Sequence, residues 1–417
     1  MKVFKFGGAS VNSIERIKNI PKILQEFAND NLVIIVSAMG KTTNALEKVV
    51  DAFYEKNQSK AILLFEEIKN QHLDLTKEIL TTTSESCSKD LTDLFTEVEW
   101  LLHDNPVRSY DYYYDQIVSI GELLSTKIIS SFLQEHQIDN TWLDVRDYIK
   151  TDNNFRNAIV DWNTSTEKII SLTFNKKTIY VTQGFIGATD ENESTTLGRE
   201  GSDFSAAIFA NILNAISLTI WKDVEGVMNA DPKQFSDAVL IKELNFEEVI
   251  EMAFYGAQII HPKTIKPLQN KKIPLFVKCF LNTSLKGTVI KDGKMKNLPP
   301  IFIFKKNQVL MNLKTKDFSF VGDIPMSYLY NSFHNLKLKP NIIQTGAINV
   351  LLCIDEDQLK IEELALQVST IFNVEIKKDL TLTTIRHYTE QALENLEHDK
   401  NILLKQQTTE TIQILHL

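Results

Sequence analysis

Thr195-Thr196-Leu197-Gly198-Arg199-Glu200-Gly201-Ser202-Asp203 follows the apolar run Ile179-Tyr180-Val181 and a polar loop, and it leads into a helical pattern, Phe204-Ser205-Ala206-Ala207-Ile208-Phe209-Ala210. Strand, glycine-punctuated loop and helix start, in that order, put free backbone N–H groups at the mouth of a site. A helix N-terminus attracts anions because its first N–H groups lack partners and the dipole is positive there. Arg199 adds a planar, permanently charged fork suited to a carboxylate or phosphate. Ser202 and Asp203 are placed to cap the helix. Taken alone, the stretch reads equally as a well-capped loop with a surface arginine.

The same order recurs upstream. Lys2-Val3-Phe4-Lys5-Phe6 reads as a strand, with Gly7-Gly8-Ala9-Ser10 directly after it. Asn12 or Ser13 then caps one helix with Ile14, Ile17, Ile20, Ile23, Leu24 and Phe27 on its apolar side. Paired glycines let a backbone approach a ligand closely, which turns Lys5 from an edge residue into a candidate phosphate contact. Leu32-Val33-Ile34-Ile35-Val36 is a strand apolar on both faces, followed by the loop Ser37 to Asn44. Gly40-Lys41-Thr42 is not a P-loop, because Ile35 stands where that motif needs glycine. Residues 45–105 are helical by spacing. Tyr110 to Ser125 predicts a long helix whose apolar face is interrupted by Ser119, Gly121 and Glu122. Glu122 is either a surface glutamate or a buried one that needs a cation.

Further strands are predicted at Thr141–Val145, Thr178–Val181, Leu218–Trp221 and Ile273–Lys278, with a helix near 163–173 and another at Phe246–Phe254. Lys222 to Lys233 is a loop with turns at Gly226 and Asp231-Pro232. Pro262 opens a helix, and His261 before it reads as a capping or packing residue. Strands alternating with helices predict an α/β fold, a mostly parallel open sheet flanked by helices, with ligands beyond the strands' carboxyl ends. Asp292 to Pro300 is a polar, proline-ended linker. Beyond it an α+β tail is expected, with a βαββαβ order and a partial second unit.

The 417 residues suffice for two or three domains. A net charge of −9 speaks against nucleic acid and anionic membranes as partners. No apolar run reaches the ~18 residues of a membrane span. Cys87, Cys279 and Cys353 are too scattered for a metal site or a disulfide framework. A strand beginning at Lys2 leaves no room for a signal peptide, so a cytoplasmic location is expected.

Together these loops resemble the aspartate kinases of the amino-acid kinase superfamily. Lys5 to Ser10 is similar to the family's opening KFGGTS, with Ala9 for Thr. Ser37 to Asn44 matches the second loop, and Ser119-Ile120-Gly121-Glu122-Leu123-Leu124-Ser125 the SxGExLS helix. Thr182-Gln183-Gly184-Phe185 and Thr196 to Asp203 match the next two, with Glu200 where glycine is commonest. Trp221 to Val227 with Asp231-Pro232-Lys233 matches the nucleotide loop, and Gly256 to Pro262 the last. The resemblance covers about residues 1–300 and implies a catalytic domain over 1–299. It implies the reaction of ATP with L-aspartate to give 4-phospho-L-aspartate and ADP, the first step towards lysine, threonine and methionine. Lys5 and Asp203 are the implied catalytic residues. Thr43, Glu122, Arg199 and Ser202 are the implied substrate contacts, Arg199 on the α-carboxylate and Glu122 on the ammonium. Lys5, Gly7, Gly8, Ser10, Lys222, Asp223, Met228, Lys233 and Gln258 fall at nucleotide positions. Mg²⁺ is expected with ATP, held largely by phosphates and water, with no protein metal site.

Met228 stands where an adenine-side tyrosine is frequent. Gln258 replaces a phosphate-contacting lysine, for which Lys263 or Lys222 is expected to compensate. The tail, 300–417, resembles the family's regulatory ACT domains, with the second unit shortened. Those domains bind lysine or threonine and build a homodimer. The usual Gly-Phe-Leu is absent, with Val321-Gly322-Asp323-Ile324-Pro325 in its place and Asn341 for an expected aspartate, so a purely dimer-forming tail is an equal expectation. Leu417 ends the sequence, and no homoserine dehydrogenase module is expected. The alternatives are another amino-acid kinase or a non-catalytic amino-acid sensor.

Overall fold

A computed structural model describes residues 1–417 apart from Asn175, Lys176, Ser236, Lys296 and Asp399 and the side chain of Asn395. Lys296, in the expected linker, therefore lies outside the described residues. The chain divides into two units. The first comprises Met1–Val227, Leu240–Ile250 and Gln258–Met295, and the second Met228–Val239, Glu251–Ala257 and Lys296–Leu417. Three segments of the expected 1–299 region, Met228–Val239, Glu251–Ala257 and its last few residues, thus belong to the second unit.

In the first unit the strands are β1 (Lys2–Phe6), β2 (Leu32–Val36), β3 (Thr141–Trp142), β4 (Ile179–Gln183), β5 (Ile186–Ala188), β6 (Ser194–Thr196), β7 (Ser217–Lys222), β8 (Glu243–Asn245), β9 (Leu275–Cys279) and β10 (Thr288–Lys291). Its helices are α1 (Ile14–Ile17), α2 (Ile20–Gln25), α3 (Thr42–Tyr54), α4 (Gln58–Ile79), α5 (Ser84–His103), α6 (Tyr110–Val118), α7 (Ile120–Glu135), α8 (Trp162–Ile170), α9 (Gly201–Ile212) and α11 (Pro262–Asn270); α10 (Phe246–Phe254) starts in it. The main sheet has the order β3-β4-β2-β1-β7-β9-β10-β8. Neighbours from β3 to β9 are parallel; β9 and β10 are antiparallel.

Strands β2 and β4 are wholly buried, which is why β2 reads as an unbroken apolar run. Phe4, Phe6, Trp221 and Phe280 are buried together, Phe6 stacking on Trp221 with 6.2 Å between ring centroids. The chain leaves β1 for β2 on one side, and β7 pairs on the other, so β1 is the point at which the strand order reverses. In doubly wound sheets ligands bind at such a point, beyond the strand ends. Lys5 is level with Ile35 and Ile220, and the Ser37 and Gly184 N–H groups donate to the carbonyls of Phe6 and Val36. The loops after β1, β2, β4 and β7 therefore leave the sheet at one level.

Several elements differ from their expected form. The first helix is two, because Pro21 starts α2 afresh at its N-terminus. The long helix of 110–125 breaks at Ser119 into α6 and α7. The strand at 141–145 stops at Trp142, since the Asp144 carboxylate accepts from the Arg146 N–H and turns the chain. The polar loop before Leu197 contains the β5–β6 hairpin, so Thr195 and Thr196 are strand residues. Strands β8 and β10 were not expected.

The second unit contains β11 (Ile301–Thr315), α12 (Asp323–Leu336), β12 (Ile342–Thr345), β13 (Asn349–Asp355), α13 (Gln358–Val368), β14 (Phe372–Arg386), α14 (Glu390–Glu397), β15 (Ile402–Gln407) and β16 (Thr411–His416). Its sheet, ordered β12-β13-β11-β14-β16-β15, is antiparallel throughout. From β11 to β14 the order is βαββαβ. Helices α12 and α13 bury Leu329, Phe333, Ile361 and Leu364 against Val309, Met311 and Leu313 of β11.

Candidate active site

A cleft of about 570 Å³ opens at the carboxyl ends of these strands, within the first unit. It is lined by eight of the residues singled out in the sequence: Lys5, Gly8, Thr43, Glu122, Arg199, Ser202, Asp203 and Lys222. They arrive on several different elements. Lys5 lies one residue before the end of β1. Gly8 is in the turn after it, where an added Cβ would lie 2.8 Å from the Ala38 carbonyl oxygen. Thr43 is in the first turn of α3, and Ser202 and Asp203 are in the first turn of α9. Lys222 ends β7. The loop after β4 can pass α9 only through Gly184, whose Cβ would fall 2.6 Å from that of Ser202.

The Lys5 ammonium pairs with Asp203 Oδ1 at 2.6 Å, and both side chains are largely buried. Glu122 is fully buried in α7. Its Oε1 accepts from the Ala38 N–H at 3.2 Å, and Oε2 has no hydrogen-bond partner. Burial pushes its carboxyl up to about 8, against the opposing effects of the Ala38 N–H and the Lys5 charge. Arg199 is exposed and, among the described residues, has no carboxylate within salt-bridge distance. The Lys222 ammonium donates to the Ile259 carbonyl at 2.6 Å. The cleft thus holds a free guanidinium, a carboxylic acid with an unused oxygen, and a lysine–aspartate pair beside a glycine turn.

The other singled-out residues are placed differently. A Cβ on Gly7 would lie 3.3 Å from the Lys5 ammonium. Ser10 is buried, and its hydroxyl donates to the Trp221 carbonyl at 3.2 Å, which ties the glycine turn to β7. Asp223 is exposed, 3.9 Å from Arg16. Gln258 is exposed in the first unit, whereas Met228 and Lys233 belong to the second unit. The Lys263 ammonium donates to Asn157 Oδ1 at 2.6 Å and to the Leu197 carbonyl at 3.3 Å, and burial lowers its pKa. His261 caps α11, its Nδ1 accepting from the Lys263 N–H at 3.1 Å.

Glu200 has φ 54°, in the left-handed region, which accounts for glycine at this place in the resembling motif. Its carboxylate accepts from the His261 N–H at 2.7 Å, at the positive end of α11. The loop before α9 is thereby fastened to the start of α11. Glu200→Gly is expected to relieve the strain and lose the tie, leaving overall stability within about 1 kcal/mol. Hydrogen exchange should then show the His261 amide opening at least about tenfold faster; unchanged protection would mean the tie is not what holds this end.

Three features in and behind the cleft wall were not read from the sequence. Asp115, wholly buried in α6, accepts from the Thr196 hydroxyl at 2.6 Å, the Thr196 N–H at 2.8 Å and the Arg156 N–H at 3.0 Å. Burial raises its carboxyl to about 6 despite those donors. Its spacing of seven residues before Glu122 was the only signal, and it is weakened because α6 and α7 are separate helices. Tyr114 and Arg156, which line the cleft, carried none.

The amino acid kinase family matches residues 1–279. The aspartokinase of Chlamydia trachomatis is 30% identical over 369 residues, covering 85% of this chain and 79% of that one. The chain is an aspartokinase by family. A chloroplastic bifunctional aspartokinase/homoserine dehydrogenase of Zea mays is 33% identical over 299 residues, 69% of this chain, and this aspartokinase-family chain spans only about a third of that relative's length. Among solved structures, E. coli aspartokinase III in complex with aspartate and ADP superposes with a TM-score of 0.82 at 24% identity, covering 100% of this chain and 96% of that one. The aspartate kinase of Clostridium acetobutylicum gives 0.80 at 22% identity, with the same coverage. These two matches establish a shared aspartokinase fold. Among the described residues, no helix is long and apolar enough to cross a membrane.

Proposed function

We infer that the chain transfers the γ-phosphoryl group of Mg-ATP to the side-chain carboxylate of L-aspartate. The observation that carries this reading is the pairing, in one cleft, of a free guanidinium, Arg199, with a buried carboxyl that has an unused oxygen, Glu122. A zwitterionic amino acid needs both: a fork for its α-carboxylate and an acceptor for its ammonium. Thr43 and Ser202 stand beside them as hydroxyl donors.

The nucleophile is an ionised carboxylate at neutral pH, since its pKa is about 3.9, so no general base is required. The obstacle is repulsion between that carboxylate and the phosphates. One carboxylate oxygen bonds to the γ-phosphorus as the bond to the β,γ-bridging oxygen breaks, and ADP leaves with the electron pair. Catalysis of this step is positioning and charge neutralisation. Lys5 meets the developing charge, Asp203 fixes the Lys5 ammonium, and the Gly7–Gly8 turn admits phosphate close to the backbone. Lys222, within the cleft, is the better placed of the two lysines to supply the charge missing at Gln258. Asp223, Met228, Lys233 and Gln258 are assigned to the nucleotide by motif alone. No group of three potential metal ligands occurs among the described residues. Mg²⁺ enters with the nucleotide as part of the substrate, held by phosphates and water.

The second unit serves dimer formation. In support, Phe318, Phe320 and Ile324 are 69%, 80% and 83% exposed on one segment, an apolar patch that a lone chain would leave in water. Sedimentation should give a dimer, and a monomer at all concentrations would remove this role. The main assay couples ADP release to a panel of amino acids, with and without L-lysine and L-threonine. ADP release with aspartate supports the assignment. Release with glutamate alone moves it within the superfamily, and ATP binding without release favours the sensor.

A further inference from the structure

Arg156 lines the active-site cleft and belongs to none of the motifs read from the sequence. Its backbone is left-handed, φ 66°, a conformation that costs a side-chain-bearing residue and persists only where the surroundings enforce it. The enforcement is visible. The Arg156 N–H is bound by Asp115, which also holds the N–H and hydroxyl of Thr196, a wall residue of the cleft. The side chain is thus projected from a point fixed to the cleft wall.

The guanidinium is oriented as well. Its carbon lies 4.2 Å from the ring centroid of Tyr114, another cleft residue, and 5.5 Å from that of Tyr110. Glu47 and Asp111 pair with it, at 3.3 and 3.5 Å. These contacts are longer than the roughly 2.7–2.9 Å of a good charge-assisted bond. Both acids are substantially exposed, and neither lines the cleft. Stacking fixes the fork while its ion pairs are slack, so a ligand carboxylate can take the place of Glu47 or Asp111 at small cost.

A count of charge in the cleft shows where such a carboxylate comes from. Lys5 is matched by Asp203, Glu200 is held by the His261 N–H, and Lys222 is held by the Ile259 carbonyl. Two guanidiniums remain for a ligand: Arg199, which has no carboxylate partner among the described residues, and Arg156, whose two pairs with Glu47 and Asp111 are long and partly exposed. Aspartate has two carboxylates, and its amide, asparagine, has one.

We propose that Arg156 binds the side-chain carboxylate of the amino-acid substrate and so sets the preference for an acidic amino acid over its amide; the proposal rests on the aspartate reading above. Arg156 exchanges no proton and makes no bond. It is a specificity residue that trades Glu47 and Asp111 for the substrate.

The test is calorimetric titration of the full chain with L-aspartate and with L-asparagine, for wild type, Arg156→Gly, Arg199→Ala and Glu47→Gln. Glycine accepts the left-handed backbone, so Arg156→Gly removes the fork without adding strain. It should weaken aspartate about five- to tenfold and leave asparagine within about twofold. Arg199→Ala should weaken both, and Glu47→Gln, by freeing the fork, should tighten aspartate. Equal weakening of both ligands by Arg156→Gly, or of neither, overturns the proposal. A wild-type protein that binds neither ligand and releases no ADP with aspartate overturns instead the reading beneath it.

Discussion

Lys5→Ala is expected to lower kcat by about a thousandfold while ATP still binds. Lys5 lies one residue before the end of the central strand, and its ammonium lies 2.6 Å from Asp203 beside the glycine turn. Removing one preorganised charge or donor from a site that stabilises a transition state costs about 10²- to 10³-fold. Here the lost group is a full positive charge facing a transfer between two anions. The variant also leaves Asp203 buried without its partner, and breaking such a pair costs about 3–5 kcal/mol. Stability and chemistry are separable by the double variant Lys5→Ala/Asp203→Ala, which removes the orphaned charge. It should regain much of the lost melting temperature and none of the turnover. Recovery of turnover in the double variant, or a single variant with more than about a tenth of wild-type kcat, would remove Lys5 from the chemistry.

The second large effect concerns pH. Glu122 titrates near 8 in the free protein because it is buried. To accept from a substrate ammonium it must be ionised, so below about pH 8 aspartate has to displace a proton to bind. The expected kcat/KM for aspartate rises about tenfold per pH unit up to about 8 and is level above it, whereas KM for ATP is nearly flat. Glu122→Gln should abolish this slope and raise KM for aspartate about 10- to 100-fold, the range for a lost charged hydrogen bond. Stability runs the other way. The folded-state pKa is raised above the unfolded value of 4.5, so this group's contribution is complete below about 4.5 and lost as pH rises through 8. The ligand-free protein should melt progressively lower across that window, and Glu122→Gln should lose this part of the trend. A wild-type profile that is level from pH 6 to 8 would show that Glu122 does not meet the ammonium.

Much of this site is legible in the chain because strand ends and helix starts leave strong local marks. Lys5 before two glycines, Ser37 to Asn44 after an apolar run, and Gly198 to Asp203 before α9 are each decided by neighbours in sequence. What converges on them from afar is not. Asp115 gains its place only when α6 lies against Thr196, 81 residues on. Arg156 sits in a polar segment with no period to mark it, and its left-handed backbone depends on that same aspartate. Pro21 and Ser119 broke helices that periodicity alone would have run together, since apolar spacing is indifferent to a local change of axis. Strands β8 and β10, short and paired with each other, lack the length at which alternation can be recognised. Glu200 illustrates the converse. The sequence marks it as a departure from glycine, but only the structure supplies the reason it is tolerated, a backbone N–H of α11 that its carboxylate accepts.

The most direct measurement is to trap the acyl phosphate. The chain, Mg-ATP, L-aspartate and hydroxylamine are incubated together, and aspartyl hydroxamate and ADP are both quantified. The account predicts hydroxamate in step with ADP, dependent on aspartate, and lost in Arg199→Ala. ADP without hydroxamate, or hydroxamate formed from another acid while aspartate gives none, would contradict it.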